Sequence, residues 1–292
     1  MLVAATGAVR LPEEPEGLTG PGWMEKMFTF YNLEGASALA CALAPLSSPS
    51  SPTGTSPSAA SARTSSSHTS RPSTARSRTP IASKTLGDLL EEKGVALVKE
   101  FNTGEVDGPG GRLISYDERE VTFDLLVTVP VHGGAECVTR SPGLGDELNS
   151  VPTNMATLQS EVKPTIFVLG DAANIPTSKA GSVTHFEGEL CAENVERFLA
   201  GEAFDESYDG HANYFVETGF KKALLIDFDY ETEPLPGRLP NAMGPMPLLE
   251  ESRLNHLGKP MFQWFYWNAL LEGREIPGIS AEMSMSGRYR PE

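Results

Sequence analysis

The sequence predicts an α/β fold, and three stretches carry the prediction. The first is residues 165–194, TIFVLGDAANIPTSKAGSVTHFEGELCAEN. Its apolar run 166–169 has the length of a buried strand. Gly170-Asp171 follows as a turn, a loop containing Pro176 comes next, and 182–199 has helical spacing. The second stretch is LVAAT at 2–6, a short strand that turns at Gly7. The third is 124–129, which after Asp124 is an unbroken apolar and β-branched run of the kind buried in parallel sheets. Strand, turn and helix in this order are the units from which such sheets are assembled.

The remaining elements follow in order. Residues 32–43 read as a helix capped by Asn32, with Leu33, Ala36, Leu39, Ala40 and Leu43 on one face. Residues 44–80 are almost wholly Ser, Thr, Pro, Ala and Arg, with Leu46 the one bulky aliphatic. Such a tract buries too little apolar area to offset its ordering entropy, so it is expected to be disordered. Helix 83–93 is expected to start at Ser83, to face Leu86, Leu89 and Leu90 inward and to stop at Gly94. Residues 95–101 alternate as a strand. Residues 112–116 and 120–121 read as a hairpin, and 214–218 and 223–228 as a second one. The 182–199 helix turns Val183, Phe186, Leu190, Val195 and Phe198 toward a core and ends at Gly201. In 248–271, Leu254, Leu257, Met261, Trp264 and Phe265 share a helical face flanked by Arg253, Lys259 and Arg274. That composition suits an ordinary core-facing helix or a membrane interface. Pro260 should kink this helix or split it.

Composition narrows the function. A formal charge of −16 over 292 residues argues against nucleic acid as a partner, since phosphate binding needs a basic surface. Cys41, Cys137 and Cys191 are scattered, with no CxxC and no metal-ligand spacing, which suits a reduced, cytoplasmic setting and predicts no metal site. No run reaches the length that spans a bilayer, and the apolar start at Leu2 lacks the charged flank and length of a signal peptide.

The chemistry gathers around Gly170. Ligands of open α/β sheets bind at the carboxyl ends of strands. A Gly there lets backbone approach a ligand, an Asp accepts hydrogen bonds from ligand hydroxyls, and the positive end of the next helix favours an anion. Gly-Asp alone is ordinary turn chemistry, but the longer string is more specific. GDAANIPTSKAG (170–181) before a helix resembles the second FAD-binding motif of the two-dinucleotide-binding-domain flavoproteins. Within them it is similar to the sulfide:quinone oxidoreductases and their flavocytochrome c sulfide dehydrogenase relatives. ATGAVRLPEEPEGLTGPGW (5–23) resembles the family's first-domain turn. FDLLVTVPVHGG (123–134) resembles its return crossover, and GHANYFVETGFKKALLIDFDYETEPLPG (210–237) its C-terminal region. Together the resemblance covers residues 1–43 and 80–280.

The resemblance implies a partial FAD/NAD(P)-binding, Rossmann-like three-layer fold with a disordered insert and a C-terminal amphipathic helical tail. Residues 1–43 would be part of the FAD domain, 44–80 the insert, 81–122 a remnant of the central nicotinamide-type domain, 123–205 the FAD domain's second motif, and 206–292 the quinone and membrane-interface region. The family's N-terminal G-x-G-x-x-G turn, which cradles the FAD pyrophosphate, has no counterpart here. The tract 44–80 stands where the family has its central domain with one redox cysteine. A flexible linker, a basic tail and an out-of-frame translation all remain open readings of it.

The family moves two electrons from sulfide through FAD to a membrane quinone, so FAD is the implied cofactor, and sulfide, quinone and the membrane surface are the implied partners. The expected location is peripheral, on the cytoplasmic face of the membrane. Gly7, Gly170, Asp171, Asn174, Lys179 and Gly181 would surround the cofactor, with Asp171 on its ribityl chain. Lys179 is the implied catalytic residue, stabilising negative charge on the flavin or polarising the quinone. Phe215, Phe228 and Trp264 would line the quinone side, and His132 would stand near the flavin. Tyr214 occupies the position where the family's second redox cysteine is expected, and tyrosine forms no persulfide. Two alternatives remain: a type II NADH:quinone dehydrogenase-like flavoprotein, which needs no redox cysteine, and a truncated remnant without activity.

Overall fold

Two short parallel strands, Leu2–Ala4 and Ile166–Val168, bring the two ends of a long sequence interval together. They belong to a computed structural model that describes residues 1–44, 59–62, 80–274 and 280–291. Most of the Ser/Pro tract expected to be disordered lies outside the described residues. The chain divides into two units: Met1–Ala8, Arg71–Leu97 and Gly134–Glu292 form one, and Val9–Ser70 with Val98–Gly133 the other.

In the first unit, Phe167 and Val168 are fully buried and pack with Val151, Leu158, Ala172, Ala173 and Ile175. The motif helix Gly181–Ala200 closes over this cluster through Leu190 and Cys191. Each fully buried side chain of Leu or Phe size contributes about 1.5–3 kcal/mol relative to exposure. Gly201 ends the helix in the left-handed conformation, φ 71°. A hairpin follows, Ala212–Gly219 with Lys222–Phe228, in the antiparallel register Tyr214↔Ile226. One of its faces meets Ala82 of helix Pro80–Glu92, and Gly258 of the C-terminal helix Arg253–Asn268 lies against the ring of Phe215.

The second unit holds a three-stranded antiparallel meander, Thr103–Asp107, Arg112–Ser115 and Glu120–Thr122. Beside it, Leu125–Thr128 pairs in parallel with Met27–Phe28 and Ala59–Ala62. Its core is Leu18, Met27, Val106, Leu113, Phe123 and Leu126. Asn32 caps helix Leu33–Leu43 as expected, its Oδ1 accepting from the Gly35 amide at 2.7 Å.

Two expectations are corrected. Residues 95–101 form no strand; Val95, Leu97 and Val98 are exposed, and the extended chain starts at Thr103. Ser83 does not cap its helix, which begins at Pro80, where a fixed φ and a missing N–H suit the first turn. The apolar face of Leu33–Leu43 is largely in solvent, with Leu33 84% exposed. The C-terminal helix runs unsplit past Pro260 to Asn268.

Candidate functional site

Because Leu2–Ala4 and Ile166–Val168 run in the same direction, their carboxyl ends emerge at one edge. The Leu169 amide donates to Ala4 O at 3.1 Å and binds the two exits together. The turns that follow, Gly7 and Gly170, both take φ +67°. At Gly170 a Cβ would meet Thr184 Cγ2 at 3.2 Å, so a larger residue faces both backbone strain and crowding. Gly170–Ala172 makes a single 3-10 turn that buries Ala172 and leaves Asp171 exposed.

Two charged side chains support the turn from below. Glu187, buried on the motif helix, accepts from the Gly170 amide at 2.5 Å and lies 3.5 Å from the Tyr208 hydroxyl. Burial raises its pKa, opposed by the Gly170 amide and by the charge of Lys179. Lys179 donates to Ala173 O at 2.7 Å and to Gly170 O at 3.3 Å. The residue as a whole is exposed, but burial around its ammonium lowers the pKa against the pull of Glu187 and Asp171. Gly181 opens the motif helix, and Ala180 at the N-cap offers no side-chain acceptor. The first turn of this helix thus carries its partial positive charge without a side-chain cap. Asn174 is engaged locally, its amide donating to Asp146 Oδ2 at 2.6 Å.

Gly7, Gly170, Asp171, Lys179 and Gly181 thus all belong to the turns and helix start around one strand edge. The proposed quinone residues are more scattered. Phe228 faces Tyr214 across the hairpin, ring centroids 6.1 Å apart, whereas Phe215 points to the opposite face, toward Gly258. Trp264 is 60% exposed on the C-terminal helix, together with Leu254, Leu257 and Met261. Cys191 is buried, which pushes its thiol up; Cys41 and Cys137 are exposed. In the other unit, the His132 ring meets Tyr31 edge-on at 4.9 Å.

Sequence reasoning missed the polar centre behind the hairpin. Asp227, fully buried, accepts from Asn213 Nδ2 at 2.9 Å and from Arg288 Nε at 2.6 Å, with a second bond from Arg288 Nη2, and lies 2.7 Å from His211 Nε2. Burial acts against its charge, but His211, Arg288 and Asn213 outweigh it and hold the carboxyl below its usual range. Burial also acts against a charged His211, and Asp227 outweighs it, raising the pKa. Glu187 could have been found: it lies four residues after Val183 and three before Leu190, within the buried stripe of its helix.

No family model matches the chain. Among curated proteins it is 30% identical over 186 residues to the mitochondrial sulfide:quinone oxidoreductase of Schizosaccharomyces pombe, covering 62% of this chain and 37% of that protein. It is 24% identical over 201 residues to the mitochondrial enzyme of the same name from Mus musculus, covering 64% and 42%. The chain spans about two fifths of the length of the curated relatives it matches. Among solved structures, the sulfide:quinone oxidoreductase of the hyperthermophilic bacterium Aquifex aeolicus superposes with a TM-score of 0.63 at 14% identity, over 94% of this chain and 69% of that one. The fold is therefore the Rossmann-like fold of the FAD/NAD(P)-binding oxidoreductases, and the chain is similar in sequence to the sulfide:quinone oxidoreductases over part of their length.

Proposed function

We propose that the chain acts as an FAD-dependent oxidoreductase that passes electrons from sulfide to a membrane quinone. One observation carries the reading: two left-handed glycine turns and an uncapped helix start share the exit edge of a parallel strand pair. These residues fit the flavin half of FAD. Gly7 has nothing within 4 Å of where a Cβ would stand, and neither does Gly181. The exposed Asp171 carboxylate offers acceptors for ribityl hydroxyls.

When bound, the flavin supplies the two-electron chemistry. The chain's own residues orient and polarise. Lys179 spends two of its three donors on Gly170 O and Ala173 O, so its ammonium is fixed in place with one donor left for negative charge developing nearby. The helix start at Gly181 adds a partial positive charge on the same side. Glu187 holds the Gly170 amide and thereby the turn. The exposed apolar face of Arg253–Asn268 would lie in the membrane interface and bring the site to its quinone. Among the described residues no helix is long and apolar enough to cross a membrane.

A second reading, a type II NADH dehydrogenase-like donor, is favoured by Tyr214, which packs against Phe228 and the cluster of Ala82, Ile226 and Leu249, and offers no thiol. Anaerobic addition of sulfide or NADH to the FAD-loaded chain separates the two. Bleaching of the flavin band by sulfide supports the first, and bleaching by NADH alone supports the second. Bleaching by neither reagent rejects both.

A further inference from the structure

The centre around His211 has no role in the proposed electron path. His211 is 7% exposed, and each of its ring nitrogens faces an acceptor: Nε2 is 2.7 Å from Asp227 Oδ1, and Nδ1 is 2.9 Å from Ser280 O. A backbone carbonyl can only accept. Asp227 receives N–H groups on both oxygens, from Asn213 on one and Arg288 on the other, so it is the ionised, accepting form. A neutral imidazole carries one N–H and would turn a lone pair toward one of these oxygens. Only the imidazolium, with two N–H groups, satisfies both.

The partners belong to different segments. Asp227 is on the hairpin, whereas Ser280 and Arg288 are on the C-terminal segment 280–291. That segment is further tied by the Met283 amide to Asp209 Oδ2 at 2.8 Å and by the Tyr289 amide to Pro236 O at 3.1 Å. The groups facing His211 are Asp227 from the hairpin, Asp209 from its own loop and Arg288 through Asp227. From the motif helix comes the uncharged ring of Phe186, stacked at 6.2 Å.

We propose that His211 is a pH-controlled latch: as an imidazolium it bridges the hairpin to the segment 280–291, and its deprotonation frees the Ser280 end. The sign follows from the ring's preference for its charged form in the closed state. Closure is complete below the ordinary histidine value of about 6.5 and weakens as pH rises through the higher value of the latched ring. Arg288 keeps its charge throughout, so the far end stays anchored while the near end opens.

The test is an NMR titration of the full chain from about pH 5 to about pH 9.5, following the His211 ring nitrogens and the exchange protection of the Met283 amide. Both ring nitrogens should be protonated at about pH 7. Protection, corrected for intrinsic exchange, should stay flat below about pH 6.5, then fall about tenfold per pH unit up to the His211 midpoint. In His211→Gln that pH dependence should vanish. A single neutral tautomer at about pH 7, or protection that ignores the His211 titration, overturns the proposal. Should His211→Gln fail to fold, the wild-type titration decides alone.

Discussion

Glu187 and Asp227 are both carboxylates with almost no exposure, within one unit of the chain, yet their pKa values move in opposite directions. Glu187 is met by neutral donors, the Gly170 amide and the Tyr208 hydroxyl, and feels Lys179 only through space. Burial prevails there, and the proton is held more tightly. Asp227 is met by Arg288, His211 and Asn213, and its charge is retained. Burial sets the cost of a charge; the partners decide whether the charge stays. The first carboxylate shapes a turn, and the second holds separate segments of the chain together.

The contrast can be broken most sharply at Arg288. Arg288→Ala leaves Asp227 buried without its permanently charged partner and should cost about 3–5 kcal/mol in urea unfolding. A loss below about 1 kcal/mol would mean that Asp227 simply takes up a proton and that the two sites are alike. Glu187→Ala leaves the Gly170 amide and the Tyr208 hydroxyl without their acceptor and should cost about 1–3 kcal/mol. Glu187→Gln keeps an acceptor oxygen and removes a charge the site disfavours, so it should cost less than the alanine variant.

The pH dependence separates the pair further. The lowered pKa of Asp227 contributes stability above about 3.9, lost as pH falls through its folded value. The raised pKa of Glu187 contributes stability below about 4.3, lost as pH rises through its folded value. Urea midpoints across pH should therefore lose part of their acid-side fall in Asp227→Asn and part of their decline at higher pH in Glu187→Gln. The smallest stability effect is expected at Trp264: Trp264→Ser should change stability by under about 0.5 kcal/mol, because the ring is exposed. The same variant should still weaken binding to lipid vesicles if the helix face lies in a membrane.

The sequence disclosed what is local. Strand, Gly-Asp turn and helix from 165 to 200 were legible because a short apolar run, a glycine and a helical stripe lie in one continuous stretch. Asn32 and Gly201 were legible as caps for the same reason. The Asp227 centre was not, since Arg288 is 61 residues away and its pairing depends on how the tail returns. The alternation at 95–101 misled because periodicity reports a possible face, not whether another element covers it. In the site, the grouping of Gly7 with Gly170 depends on a parallel pairing of strands far apart in sequence, and Phe215 and Phe228 are split by the period-two alternation of the hairpin.

The central claim is that the Gly170 turn holds a flavin, and the most direct test is titration of the chain with FAD, followed at the flavin band near about 450 nm and by flavin fluorescence. The account predicts saturable binding by the wild type and at least about tenfold weaker binding by a folded Gly170→Val variant, a loss of about 1.4 kcal/mol or more. No binding by the wild type, or equal binding by the two, would contradict it.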